Sequence, residues 1–212
     1  MPRSATTRIF FDLDDTLYPP ETGLWNEIAL RINRYLIERV GIPAAEVEPL
    51  RRRYFTTYGT TFNGLRREHR IDPQDYFLFV HDIPLAERLA PDPRLRWILE
   101  GIPQKKFIFS NADRAYILRV LSRLNIADLF DGIIDVFATR FLCKPTEGAY
   151  PAALRMAGST SAEGCMLVDD LVRNLLPART QGWKTVLVHH RGPDGSADHQ
   201  IDTLYDLPGV LG

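Results

Sequence analysis

Four short clusters in this sequence hold side chains that could do chemistry together. They are Asp12-Leu13-Asp14-Asp15-Thr16, Ser110-Asn111, Lys144-Pro145 and Asp169-Asp170. Asp12 and Asp14 are two apart, so on an extended backbone both carboxylates point the same way. One could attack phosphorus while the other protonates the departing oxygen, and carboxylate nucleophiles are an established covalent strategy. Two anions would repel a phosphate dianion, so a cation must sit between them. All-oxygen ligation favours magnesium. Asp169 would add a second carboxylate to that metal, with Asp170 bound directly or through water. Lys144 would neutralise the remaining charge near Asp12. Ser110 and the amides around Asn111 would hold phosphoryl oxygens at a helix N-terminus.

Such a site needs elements that deliver all four clusters to one edge. Apolar runs predict strands over Arg8–Leu13, Lys106–Phe109, Ile133–Val136, Cys165–Val168 and Thr185–Val188, the last clear strand. Between them the spacing predicts a short helix around Leu95 and Leu99 and helices over Asp113–Leu124 and Ala149–Ala157. Another enters near Leu175, with Pro177 in its first turn. Strand–helix alternation implies an α/β fold, a mostly parallel sheet with helices on both faces. Each cluster follows the carboxyl end of a strand, where open parallel sheets bind ligands. Residues 19 to 90 carry only helical stripes, including Trp25 to Leu36 and Val47 to Tyr58, and a third helix opened by Asp72-Pro73. The expected organisation is a core of residues 1–18 and 91–212 interrupted by an all-helical cap, 19–90.

The 212 residues suit this arrangement of one core plus an insert too small for a full second domain. The 26 basic and 27 acidic residues sum to −1, which argues against a partner such as a nucleic acid polymer or an anionic membrane. No stretch approaches the ~20 apolar residues of a membrane span. The N-terminal Met-Pro-Arg-Ser-Ala-Thr-Thr-Arg reads as no signal peptide. Cys143 and Cys165 match no metal or redox spacing and suit a reducing cytoplasm. The oligomeric state is not legible.

In this order the four clusters resemble the four motifs of the haloacid dehalogenase-like (HAD) hydrolases, and the resemblance spans the chain. It implies a Rossmann-like core with an inserted helical cap. It also implies Asp12 as nucleophile, Asp14 as general acid and then base, and magnesium held by Asp12, the Asp14 backbone carbonyl and Asp169. Dehalogenating members lack an acid at the Asp14 position, and phosphonate-cleaving members need a cap lysine. Lysine occurs only at Lys105, Lys106, Lys144 and Lys184, none of them in residues 19–90. Both branches are therefore disfavoured.

Tyr58-Gly59-Thr60-Thr61-Phe62-Asn63-Gly64-Leu65, His81-Asp82-Ile83-Pro84, Phe130-Asp131-Gly132 and Arg173-Asn174-Leu175 are similar to the pyrimidine 5′-nucleotidase-like branch. That resemblance implies a phosphomonoesterase for UMP- and CMP-type mononucleotides. A phosphatase for a sugar phosphate or phosphoglycolate, a phosphomutase, and a non-catalytic phosphate-binding protein stand as alternatives.

Several residues also have a plain structural reading. Asp15 shapes a turn more readily than it touches substrate. Arg51-Arg52-Arg53 and Arg66-Arg67 read first as solvated helix faces, and second as a positive lip. Tyr54, Phe55 and Tyr58 read first as packing, although Tyr58 joins the specificity candidates. Those candidates are Tyr58, Thr60, Thr61, Asn63 and Gly64, expected on a cap loop facing the active site. His81 reads as structural.

Overall fold

A computed structural model describes residues 5–189 and 192–211. The first four residues, part of the N-terminal stretch read above as no signal peptide, lie outside the described residues. In chain order the elements are β1 (Arg8–Phe11), α1 (Leu24–Tyr35), α2 (Ala44–Tyr58), α3 (Thr61–Glu68) and α4 (Pro73–Val80). They continue with α5 (Pro93–Glu100), β2 (Lys105–Phe109), α6 (Arg114–Leu124), β3 (Gly132–Ile134), α7 (Ala149–Met156) and β4 (Cys165–Asp169). The last are α8 (Val172–Thr180), β5 (Lys184–Val188) and β6 (His199–Ile201). The chain divides into two compact units. One is Met1–Thr22 with Leu89–Gly212, the other Gly23–Arg88. Among the described residues, no helix is long and apolar enough to cross a membrane.

The larger unit is an α/β layer structure around a six-stranded sheet of order β3-β2-β1-β4-β5-β6. Every strand pair is parallel. The apolar runs explain this. Ile9, Phe10 and Phe11 are all fully buried, as are Cys165 to Asp169, so these strands are covered on both faces. On one face Phe10, Phe107, Phe109, Leu167 and Leu187 pack with Tyr150 and Ala153 of α7, Leu175 and Ala178 of α8, and Trp183. β1 lies between β2 and β4, with Arg8 paired to Lys105 on one side and to Cys165 on the other. The chain runs one way from β1 to β2 and β3, then returns to β4 on its other flank. That reversal is the kind of place where parallel sheets bind ligands.

Several ends differ from the sequence reading, and the first strand stops at Phe11 rather than Leu13. The third strand stops at Ile134, because the Asp135 carboxylate accepts the Ala138 amide at 2.7 Å and turns the chain. The helix expected near Leu175 starts at Val172, so Pro177 lies inside it rather than in its first turn. β6 was not expected. Three residues with two polar side chains make no apolar run, and only its place at the sheet edge defines it.

The smaller unit is helical, and it corrects the expected loop. Thr60 caps a helix by accepting the Asn63 amide at 3.1 Å, and α3 follows at once. Its Gly, Asn and Thr residues are weak helix formers, which hid it from a propensity reading. Burial decides instead: Thr61, Phe62, Asn63, Gly64 and Leu65 are all buried. A β-carbon added at Gly64 would run into the ring of Tyr54 on α2, so the glycine lets two helices approach closely. The Tyr54 hydroxyl donates to Glu68 at 2.9 Å, and Arg53 grips the same carboxylate at 2.8 and 2.7 Å. Arg51 donates to Asn33 and Glu48. Arg51 and Arg53 therefore serve as braces between helices.

Candidate active site

All four sequence clusters meet at the carboxyl ends of β1, β2 and β4 and in the loop after β3. The Asp12 amide donates to the Val168 carbonyl at 2.9 Å, which extends the β1–β4 pairing by one residue and sets Asp12 beside the end of β4. Asp169 is the last residue of β4. Lys144 reaches between them, with Nζ 2.6 Å from Asp169 Oδ2 and 3.0 Å from Asp12 Oδ1. Its side chain is 1% exposed. A buried ammonium without partners would lose its proton. Here burial does work to lower Lys144, but the charges of Asp12 and Asp169 outweigh it and hold the amine above its ordinary range.

Asp169 is fixed from two further sides. The Leu171 amide donates to Oδ1 at 2.9 Å, and Asn174 Nδ2 lies 3.0 and 3.1 Å from the two oxygens. The Asp170 amide donates to Thr16 Oγ1 at 3.1 Å, tying the end of β4 to the loop after β1. One carboxylate oxygen each from Asp12, Asp169 and Asp170 lie within 4.8 Å of one another. Burial pushes Asp12 up to about 7, with Lys144 pulling back and Asp169 and Asp14 adding to the rise. Burial, then Asp169 and Asp12, push Asp170 up to about 9. Three hard oxygen donors are gathered here at the cost of two raised carboxyls, whose protons a cation can replace. That donor set fits a divalent magnesium-type cation.

Asp14 is turned elsewhere. Its Oδ1 accepts the hydroxyls of Tyr18 at 2.5 Å and of Tyr116 at 2.8 Å, and its carboxylate is not part of the three-acid group. Burial first, and the charge of Asp14 next, hold both phenols well above ordinary tyrosine, so both keep their protons. Asp15 has φ 51°, a left-handed turn conformation in keeping with its reading as a turn former.

Ser110 is buried just past β2, and its Oγ accepts the Ala112 amide at 3.1 Å. The Asn111 side chain bonds both backbone groups of Lys144, donating to its carbonyl at 2.9 Å and accepting its amide at 2.8 Å. The Asn111 side chain thus fixes the Lys144 backbone. Tyr58 ends α2 with its hydroxyl on Glu68 at 2.9 Å. Thr60, Thr61, Asn63 and Gly64 cap or build α3 in the helical unit. His81 is buried with its ring 5.6 Å from that of Phe77.

Sequence reasoning missed three contributors. Tyr18 and Tyr116 carry no signal by type, since an aromatic four residues after a motif reads as packing. Asn174 entered only as part of a resemblance, and its carboxylate contact is visible only once α8 is placed beside β4.

Comparison with known proteins agrees with this fold. A model of the haloacid dehalogenase-like hydrolase family matches residues 6–182. The chain is 30% identical over 200 residues to Phosphate metabolism protein 8 of Saccharomyces cerevisiae, covering 88% of this chain and 62% of that protein. It therefore spans less than two thirds of that relative's length. Among solved structures, a HAD phosphatase from Thermococcus onnurineus superposes with a TM-score of 0.64 at 21% identity, covering 98% of each chain. L-2-haloacid dehalogenase from Xanthobacter autotrophicus gives 0.63 at 16% identity, covering 97% of this chain and 98% of that one. The HAD-hydrolase YfnB of Bacillus subtilis, solved bound to magnesium, gives 0.63 at 19%, covering 98% and 99%. These likenesses share the fold across different chemistries. With the family model matched from before β1 to the end of α8, the chain belongs to the haloacid dehalogenase-like hydrolases.

Proposed function

We propose that this protein is a magnesium-dependent phosphomonoesterase working through an aspartyl-phosphate on Asp12, with pyrimidine nucleoside monophosphates of the UMP and CMP type as substrates. The observation that carries the reaction class is the Lys144 ammonium lodged between Asp12 and Asp169 beside a three-carboxylate cluster. Asp14, held separately, supplies the acid that a phosphate ester needs and a halide does not. The nucleotide preference rests on the cap-sequence resemblance, and the name of the yeast relative is in keeping with phosphate chemistry.

Asp12 Oδ attacks phosphorus, and the ester P–O bond breaks with its electron pair moving to the leaving oxygen. That oxygen takes the proton of Asp14. Water then attacks the phosphorus, giving its proton to Asp14, and the acyl-phosphate bond breaks to restore the Asp12 carboxylate. Lys144 holds Asp12 in place and offsets the negative charge gathering there. Ser110 and the amides after β2 receive phosphoryl oxygens. Asp12, Asp169, Asp170 and the Asp14 carbonyl would hold magnesium, which when bound neutralises the charge between nucleophile and phosphate.

The test is phosphate release from UMP, CMP, sugar phosphates, phosphoglycolate and p-nitrophenyl phosphate, with magnesium and with EDTA. UMP and CMP should rank highest in kcat/KM, and EDTA should abolish release. If sugar phosphates rank higher, the nucleotide assignment falls while the phosphatase stands. If no ester is cleaved with magnesium present, the catalytic reading itself falls.

A further inference from the structure

Two phenols converge on a single oxygen of Asp14, which is more than burial of either tyrosine requires. Tyr18 lies four residues beyond the acid, while Tyr116 comes from 102 residues away, in the first turn of α6. Both side chains are buried, at 2% and 1% exposure. Tyr116 is itself anchored, because the Asp113 carboxylate caps α6 by accepting the Ala115 and Tyr116 amides at 3.0 and 3.1 Å. A carboxylate oxygen has two lone-pair positions. Hydroxyl donors at 2.5 and 2.8 Å fill both on Oδ1.

We propose that Tyr18 and Tyr116 are positioning residues for Asp14, confining the proton it exchanges with substrate and water to Oδ2. This rests on the reading of Asp14 as the acid–base group. With Oδ1 filled, a proton can join that atom only by displacing a phenol. The carboxyl cannot flip about its terminal bond without breaking two charge-assisted hydrogen bonds. In the first half-reaction the Oδ2–H bond breaks as the new O–H bond forms on the leaving alcohol. The negative charge left behind is received by the two hydroxyls on Oδ1. In the second half-reaction the proton returns from water to the same oxygen. The two phenols thus hold the carboxyl in one orientation and close Oδ1 to proton exchange.

The test compares esters that differ in their need for a proton. The p-nitrophenolate anion leaves unprotonated, whereas the alkoxide of UMP (or of whichever alkyl phosphate the substrate panel ranks first) does not. Tyr18→Phe and Tyr116→Phe should each lower kcat/KM on the alkyl ester by about tenfold, and the double variant by about a hundredfold, within the usual reach of acid–base catalysis. The loss on p-nitrophenyl phosphate should be at least tenfold smaller. Equal losses on both esters, or none on either, would overturn the proposal. The single variants and a thermal melt of each cover the case in which the double variant fails to fold. Asp14→Asn in single turnover separates the two levels. If its loss of phosphorylation rate is confined to the alkyl ester while the tyrosine variants show no such bias, the tyrosine assignment falls alone. If Asp14→Asn shows no bias, the acid–base reading falls and this proposal with it.

Discussion

The side-chain amide of Asn111 closes on both backbone groups of Lys144, across 33 residues of sequence. Lys144 therefore has its main chain fixed by the turn after β2 and its ammonium fixed by Asp12 and Asp169. Asn111→Ala leaves a buried amide and carbonyl without partners, at a cost of about 1–3 kcal/mol. It should lower the melting temperature and, by loosening the lysine, reduce kcat more than tenfold. A variant with reduced stability and undiminished kcat would show that the clamp has no catalytic consequence.

The raised carboxyls of Asp12 and Asp170 couple stability to pH and to metal. Their folded values of about 7 and about 9 lie above the ordinary 3.8. Between these limits the folded state binds protons that the unfolded chain has released. Their stabilising contribution is complete below 3.8 and is lost as pH rises through 7 and then 9. A divalent cation replaces those protons, so it should bind more tightly as pH rises. With EDTA present, the melting temperature should fall between about pH 5 and about pH 9. Magnesium should raise it more at the upper end, and Asp170→Asn should flatten both trends. An equal magnesium effect at both pH values would count against the cluster as the cation's seat.

Asp12 and Asp14 should fail at different moments. Asp12→Asn has no nucleophile and should release no p-nitrophenolate. Asp14→Asn retains the nucleophile but lacks the base for hydrolysis. It should release about one equivalent in a burst and then stall. Rapid-mixing absorbance on matched enzyme concentrations distinguishes them. Sustained turnover by Asp12→Asn, once deamidation is excluded by mass spectrometry, would remove the covalent mechanism.

Gly64 sets two helix effects against each other. Replacing a helical glycine by alanine ordinarily stabilises by about 1 kcal/mol. Here the added methyl meets the Tyr54 ring, and overpacking of this kind costs about 1–3 kcal/mol. Packing should win, so Gly64→Ala should lower the melting temperature. A stabilised variant would mean that α2 and α3 part without penalty.

Much of the core was legible because its signals are local. Ile9-Phe10-Phe11 before Asp12, and Met166-Leu167-Val168 before Asp169, mark strand and site in one stretch. β6 was illegible because His199-Gln200 carries no apolar pattern and gains its meaning from Val186 and Leu187 beside it. α3 was illegible for the converse reason: Thr61, Asn63 and Gly64 look like a loop until the burial of five successive residues outweighs their weak propensity. Tyr18 and Tyr116 were hidden because no single-residue property announces a shared acceptor 102 residues from one of them.

The central place of β1 also governs the order in which the chain can be finished. Its partners are Lys105 on one flank and Cys165 on the other, both far downstream of Arg8. During synthesis the strand that leads into Asp12 waits for its first neighbour until β2 has been made, about half the chain later and on the order of ten seconds at ordinary elongation rates. Ile9, Phe10 and Phe11 lack their sheet partners throughout that interval. β1 gains its second neighbour only with β4, and the nucleophile that follows it is set beside Val168 only then.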